Sequence, residues 1–314
     1  MLQVLWKKLA REIATRLAFH LSPEEKRALE RRMRGKEEFR KLQLADAVVV
    51  SFGKSGRTWL RMLMSRYYQR RYDLPDASFI GFDNLTRKDA RIPRLFFTHD
   101  NYLKDYTGHR DDKSDFYGRK VVLLVRDPRD TAVSQFFQWK YRMRPAKKGL
   151  NDYPAHEADI AVFDFVMHEG GGLPKVIAFM NGWLRERERI GELLIVRYED
   201  LRADTAGELG RVLRFVGETP TAEDLDDCVA FASVENMRKL EEKQTFWASG
   251  SRMRPKDKSD PNSYKVRRAK VGGWRDYFDD AQIARIDERM HRDLLPGFGY
   301  DEEQHLTPKK TATA

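Results

Sequence analysis

Two stretches of this chain place anion-binding groups directly after short apolar runs. The first is Ser51-Phe52-Gly53-Lys54-Ser55-Gly56-Arg57-Thr58-Trp59, which follows Ala47-Val48-Val49-Val50. An apolar strand, a glycine-punctuated turn and a helix start form a natural anion site, because free backbone N–H groups converge there and the helix dipole favours negative charge. Lys54 adds a point charge, and Ser55 and Thr58 add hydroxyl donors. A nucleotide-triphosphate P-loop is the obvious comparison, but its first glycine would fall at position 48, which is Val. The second stretch is Arg126-Asp127-Pro128-Arg129-Asp130-Thr131-Ala132-Val133-Ser134, after Val121–Val125. Arg126 leaves a strand end and Ser134 lies a turn or so into the next helix, so a guanidinium and a hydroxyl can share one crevice and hold a phosphate. Pro128 suits a helix start, and Asp130 is expected to cap or charge its first turn. Taken singly, each stretch also has a plain reading: a polar turn, or a surface ion-pair network.

These residues need a scaffold, and the pattern around them supplies one. Ala47–Phe52, Leu95–His99, Val121–Val125 and Leu193–Val196 are apolar without polar alternation, as buried strands are. Helical segments are expected at Thr58–Arg71, Asp130–Arg142, Pro174–Arg189, Thr205–Val216 and Asp279–Leu294. Strands alternating with helices predict an α/β fold, a mostly parallel sheet flanked by helices. Ligands in such sheets sit beyond the carboxyl ends of strands, where both stretches lie. Upstream, residues 1–42 are expected to form a basic, amphipathic helical segment, with Leu2, Leu5, Leu9, Ile13 and Leu17 as its apolar stripe. A second helix is expected to begin at Ser22-Pro23-Glu24-Glu25. Residues 43–300 form the expected single domain, with a mobile basic loop near 248–276, and 301–314 a disordered tail.

Together the two stretches resemble the PAPS-dependent sulfotransferases. Lys54-Ser55-Gly56-Arg57-Thr58-Trp59 is similar to that family's 5′-phosphosulfate loop, and Arg126–Ser134 to its 3′-phosphate segment. A third block, Arg267-Arg268-Ala269-Lys270-Val271-Gly272-Gly273-Trp274, is similar to the family's Arg-Lys-Gly-x-x-Gly-Asp-Trp. The blocks keep the family's order over roughly residues 45–278. The resemblance implies a P-loop-NTPase-like fold and transfer of a sulfuryl group from PAPS to a hydroxyl or amine, releasing PAP without a metal. It implies that Lys54 stabilises the bridging oxygen, that backbone donors at Ser55–Thr58 hold the 5′ phosphate, and that Ser134 joins Arg126 on the 3′-phosphate and restrains Lys54. It further implies that Trp59 and Tyr198 adjoin the adenine, that Arg267 and Arg268 bind the nucleotide, and that His99 is the base. With an unperturbed pKa near 6.5, His99 would suit that role at neutral pH. Phe97 stands where the family carries a lysine, Ala269 and Gly273 replace a Gly and an Asp, and the family's dimer motif is not recognisable in Tyr277–Gln282.

Composition bounds the alternatives. The 314 residues carry 59 Lys+Arg against 49 Asp+Glu, a net charge of +10, with 41% hydrophobic residues. No run reaches the roughly 18–20 apolar residues needed to span a bilayer. The single cysteine, Cys228, excludes an intramolecular disulfide, and the amino terminus lacks a secretory signal's order, so a cytoplasmic setting is the expectation. The basic excess is concentrated in residues 252–275 (nine Lys/Arg, two acids) and in residues 1–21 (four Lys/Arg, one acid). That concentration suits one small polyanionic nucleotide better than a nucleic-acid surface. A Mg-ATP P-loop kinase or NTPase and a non-enzymatic nucleic-acid binder are the competing readings. Two fates are open for the first helix: packing on the domain, or peripheral contact with the inner membrane face. The aromatic-rich loops 72–93, 100–118 and 143–172 would choose a small-molecule, lipid or glycan acceptor.

Overall fold

The computed structural model describes residues 20–243, 245–246, 264–265 and 270–300. Four strands, β1 (Ala47–Ser51), β2 (Leu95–Thr98), β3 (Val121–Val125) and β4 (Leu193–Arg197), form one sheet in the order β2-β1-β3-β4. Every pairing is parallel, with Val50 opposite Thr98 on one side of β1 and opposite Leu123 on the other. All four strands therefore end at the same edge of the sheet. The lack of polar alternation in β1 and β3 has its expected cause, since every residue of both is buried.

Alternate strand residues feed two cores. Val48, Val50, Val121, Leu123 and Val125 pack with the helix Leu173–Arg185 through Val176, Ile177, Met180 and Trp183. Val49, Leu95, Val122 and Leu124 pack with the helix Arg57–Arg71 through Leu60, Leu63, Met64 and Tyr67. The result is a single α/β domain, a parallel sheet with helices on both faces.

The helix Pro23–Leu44 starts where expected: Ser22 and Glu25 cap each other's backbone N–H and Pro23 occupies the first turn. Residues 1–19, the stripe expected to be helical, lie outside the described residues, as does the 301–314 tail. Among the described residues no helix is long and apolar enough to cross a membrane.

Two expectations need correction. The predicted helix over residues 130–142 is really Pro128–Phe137 followed by a π-helical turn, Gln138–Arg142. It begins earlier because Asp127, not Asp130, is the N-cap: its carboxylate accepts the Arg129 N–H at 2.8 Å. The second concerns the basic segment. Most of it lies outside the described residues, but its end is a docked 3₁₀ turn, Gly273–Tyr277, pinned by Trp274, which is 1% exposed.

Candidate functional site

The loop after β1 turns through two left-handed residues, Lys54 (φ 76°) and Gly56 (φ 95°). A Cβ on Gly56 would come within 2.5 Å of the Tyr198 ring, so glycine is required there by both backbone and space. Gly56 is also the N-cap of the helix Arg57–Arg71 and has no side chain to satisfy its first amides. That leaves a helix N-terminus open toward the cleft at the strand ends.

Arg126 leaves β3 beside this loop. Its Nη1 donates to the Lys54 carbonyl at 3.5 Å and to Ser134 Oγ at 3.4 Å, and its Nη2 donates to the Lys270 carbonyl at 3.1 Å. The guanidinium stacks 4.6 Å from the centre of the Tyr198 ring. Buried Asp130 lies 3.2 Å from Arg126 Nη2 and accepts the Gly272 and Trp274 N–H groups, each at 2.9 Å. Burial raises the Asp130 pKa, while Arg126 and the two amides oppose that rise. The carboxylate read as a helix-turn charge is thus the joint that fastens the third block to the second.

Trp59 and Tyr198 meet edge to face at 5.8 Å, with Arg202 5.4 Å over the indole. Trp59 Nε1 donates to the Ala232 carbonyl at 2.9 Å, which fixes the ring's orientation. Arg202 was not anticipated. Its position four residues after Tyr198, on the helix Tyr198–Ala203, was the available signal. Glu199, also unanticipated, accepts the Asp127 N–H at 3.0 Å and the Tyr300 hydroxyl at 2.5 Å, bracing the β3 turn from behind.

His99 follows β2. Its Nδ1 lies 2.7 Å from the Ser51 carbonyl, so Nδ1 carries the proton and donates. Nε2 then holds the lone pair, and Arg57 Nη2 donates to it at 2.5 Å. His99 does not keep its ordinary pKa: burial lowers it well below 6.5, with Arg57, Lys147 and Lys265 adding to the shift. The ring is neutral and of fixed tautomer at physiological pH. Arg57, expected to serve through its backbone, instead points its side chain at the His99 ring. Phe97, at the position of the family lysine, lies 4.5 Å under the Arg61 guanidinium.

One cavity of about 1690 Å³ joins these groups. Lys54, Gly56, Arg57, Thr58, Trp59, His99, Arg126, Ser134 and Tyr198 all line it. Ser55 does not, and it is buried. Arg267 and Arg268 lie outside the described residues. No cluster of three or more metal-ligating side chains occurs among the described residues.

A parallel sheet with an anion-binding turn, two aromatic rings and a neutral histidine along one edge defines a class, the nucleotide-dependent group transferases built on α/β sheets. The family is narrower: the sulfotransferase domain model matches residues 116–299, and the chain belongs to that family. Sulfotransferase 2A6 of Mus musculus is 26% identical over 268 residues, spanning 81% of this chain and 85% of the mouse protein. Cytosolic sulfotransferase 17 of Arabidopsis thaliana is 26% identical over 286 residues, covering 84% and 78% respectively. Among solved structures, mouse sulfotransferase SULT7A1 complexed with PAP superposes with a TM-score of 0.55 at 20% identity, covering 84% of this chain and 92% of that one. Retinol dehydratase in complex with retinol and PAP gives 0.55 at 16% identity, covering 88% and 96%. These superpositions agree on the fold, and the chain is an enzyme of the sulfotransferase type.

Proposed function

We propose that the chain transfers a sulfuryl group from PAPS to a hydroxyl, or an amine, of a small acceptor. The observation that carries this reading is the single cavity joining Lys54, Arg126 and His99. The fit to the nucleotide rests on Gly56, where a Cβ would strike Tyr198, and on Arg126, whose buried Nε has no hydrogen-bond partner among the described residues. PAP complexes of SULT7A1 and retinol dehydratase support the same donor. Lys54 and the amides at the helix start would hold the 5′ phosphate, Arg126 and Ser134 the 3′ phosphate, and Trp59 and Tyr198 the adenine. Arg267 and Arg268 are assigned to the nucleotide on the sequence resemblance alone.

When bound, PAPS supplies an activated sulfuryl group whose departing oxygen gathers negative charge. Lys54 places its cation in the cavity to stabilise that charge, and the fixed helix amides need no reorganisation to do the same. His99 Nε2 takes the acceptor's proton once Arg57 gives up the lone pair, while the Ser51 carbonyl steadies the imidazolium through Nδ1–H. A metal-free reaction is part of the proposal. The cytosolic relative supports a cytoplasmic setting, and peripheral membrane contact through residues 1–21 stays a proposal beside it.

Thermal shift with PAP in EDTA, set against Mg-ATP, tests the donor. PAP alone should stabilise the protein, and Lys54→Ala should abolish label transfer from PAPS. Stabilisation only by Mg-ATP would overturn the assignment.

A further inference from the structure

The cavity is far larger than a nucleotide alone requires, since small-molecule pockets run to about 300–1,000 Å³, and its charge is lopsided. Sixteen Lys or Arg residues line it against five Asp. Arg126, Lys54, Lys270 and Arg202 belong to the nucleotide wall. A second group of cations comes from elements outside all three sequence blocks, the short helix Leu103–Thr107 after His99 and the helix Pro145–Leu150 with its N-cap Arg144. These two elements form one wall: Asn151 Oδ1 accepts the Asn101 amide at 3.2 Å and the Tyr102 hydroxyl at 2.9 Å. Lys104, Arg144 and Lys147 line the cavity from it.

Much of the rest of the cationic lining is neutralised: Lys113 pairs with Asp100 at 2.6 Å, Arg31 and Arg110 share Asp105, and Arg142 lies 3.7 Å from Glu241. Lys104 and Arg144 make no ion pair with the described residues. Lys104 and Arg144 line the same cavity as His99, and Asn101, two residues after His99, lines it as well. Apolar rings fill the gaps, with Phe52 packed edge to face on Phe179 and Phe137 stacked on Tyr141.

We infer that the acceptor is a small hydroxylated anion: an apolar, ring-bearing body with a phosphate, sulfate or carboxylate that Lys104 and Arg144 hold while its hydroxyl reaches His99. A neutral sterol or phenol placed there would offer Lys104 and Arg144 no counter-charge. The inference rests on the sulfuryl-transfer reading above and narrows its acceptor.

The test separates the two. Calorimetry first measures PAP binding to the wild type and to the double variant Lys104→Glu/Arg144→Glu. Label transfer from PAPS is then measured with matched probes, 2-naphthol against 6-hydroxy-2-naphthoate and estradiol against its 17-phosphate. The anionic member of at least one pair should be favoured by about tenfold or more in kcat/KM, since several partly exposed charge contacts together reach that size. The double variant should lose the preference and keep its PAP affinity. Equal or better use of the neutral members, transfer to neither member of any pair, or a preference that survives charge reversal overturns the inference. Absence of PAP binding in the wild type would instead remove the donor assignment.

Discussion

Replacing Asp130 by Asn changes one oxygen to an amide without changing shape, and the geometry says what that does. Asp130 Oδ2 accepts the Gly272 N–H at 2.9 Å and lies 3.2 Å from Arg126 Nη2, while Oδ1 accepts the Trp274 N–H at 2.9 Å. An asparagine keeps one acceptor for Trp274 but turns an NH₂ toward the Gly272 amide and the guanidinium. The side chains of Asp130 and Arg126 are 3% and 10% exposed, so water does not make up the loss. Removing one member of a buried charge pair costs about 3–5 kcal/mol. At about 2.1 cal/mol/K of unfolding entropy per residue, 314 residues give about 0.66 kcal/mol/K, and a loss near 4 kcal/mol lowers Tm by about 6 °C. Calorimetric melts of the wild type, Asp130→Asn, Arg126→Met and the double variant measure this directly. Because the lone guanidinium is the costly survivor, Asp130→Asn should cost less in the Arg126→Met background. A Tm within 1 °C of wild type, or strict additivity of the two changes, would refute the role given to Asp130.

Three further outcomes follow from titration and burial. His99 is held below pKa 6.5 by burial and then by Arg57, so imidazole ¹⁵N NMR of the ligand-free enzyme should show a neutral Nδ1–H ring at pH 6.5. Arg57→Met removes one cation and should raise the titration toward neutrality; an unchanged midpoint would argue that Arg57 does not engage Nε2. Burial, then the Asp100 carboxylate, pushes Glu38 up to about 7 from 4.5, so the native state holds a proton that the unfolded chain has released. Stability should therefore fall as pH rises from about 4.5 to 7 on this account, and Glu38→Gln should gain on the wild type across that window in urea melts; a difference independent of pH would reject the link. The Cys228 thiol is buried and pushed up to about 12, so it should react with a disulfide reagent at pH 8 only as fast as the protein opens. Rapid labelling of the native protein would contradict that.

Much of this molecule could be read from its letters. All four strands fall within a residue of where unbroken apolar runs put them, because a parallel sheet covered on both faces asks nothing else of its strands. The first two motif blocks have a shared spatial logic that their positions after strand ends already implied. What spacing along the chain could not reveal was which of two nearby carboxylates turns inward. Asp127 and Asp130 both suit a first helical turn, and only the folded chain brings Gly272 and Trp274 to the second. Arg57 is similar: its neighbours in sequence say phosphate loop, while the curl at Lys54 and Gly56 carries its side chain to His99. The paired helices Ala222–Phe231 and Val234–Glu242 went unread although Thr221 and Asp224 form a capping box. Their apolar faces are short, and that of Ala222–Phe231 meets the helix Arg57–Arg71 only through the fold.

The strand order also bears on how such an enzyme changes its customers. Lys54, His99 and Arg126 follow β1, β2 and β3, three adjacent strands with β1 in the middle. The three strands they follow are one ladder spacing apart, about 4.8 Å, fixed by backbone hydrogen bonds that no side-chain replacement touches. The segments around residues 101–118 and 138–160 leave that ladder and return to it without contributing a rung. They can be exchanged, lengthened or recharged as cassettes while the strands under Lys54, His99 and Arg126 keep their spacing, so on the proposed reading the same frame can be retargeted from one acceptor to another by drift in its loops alone.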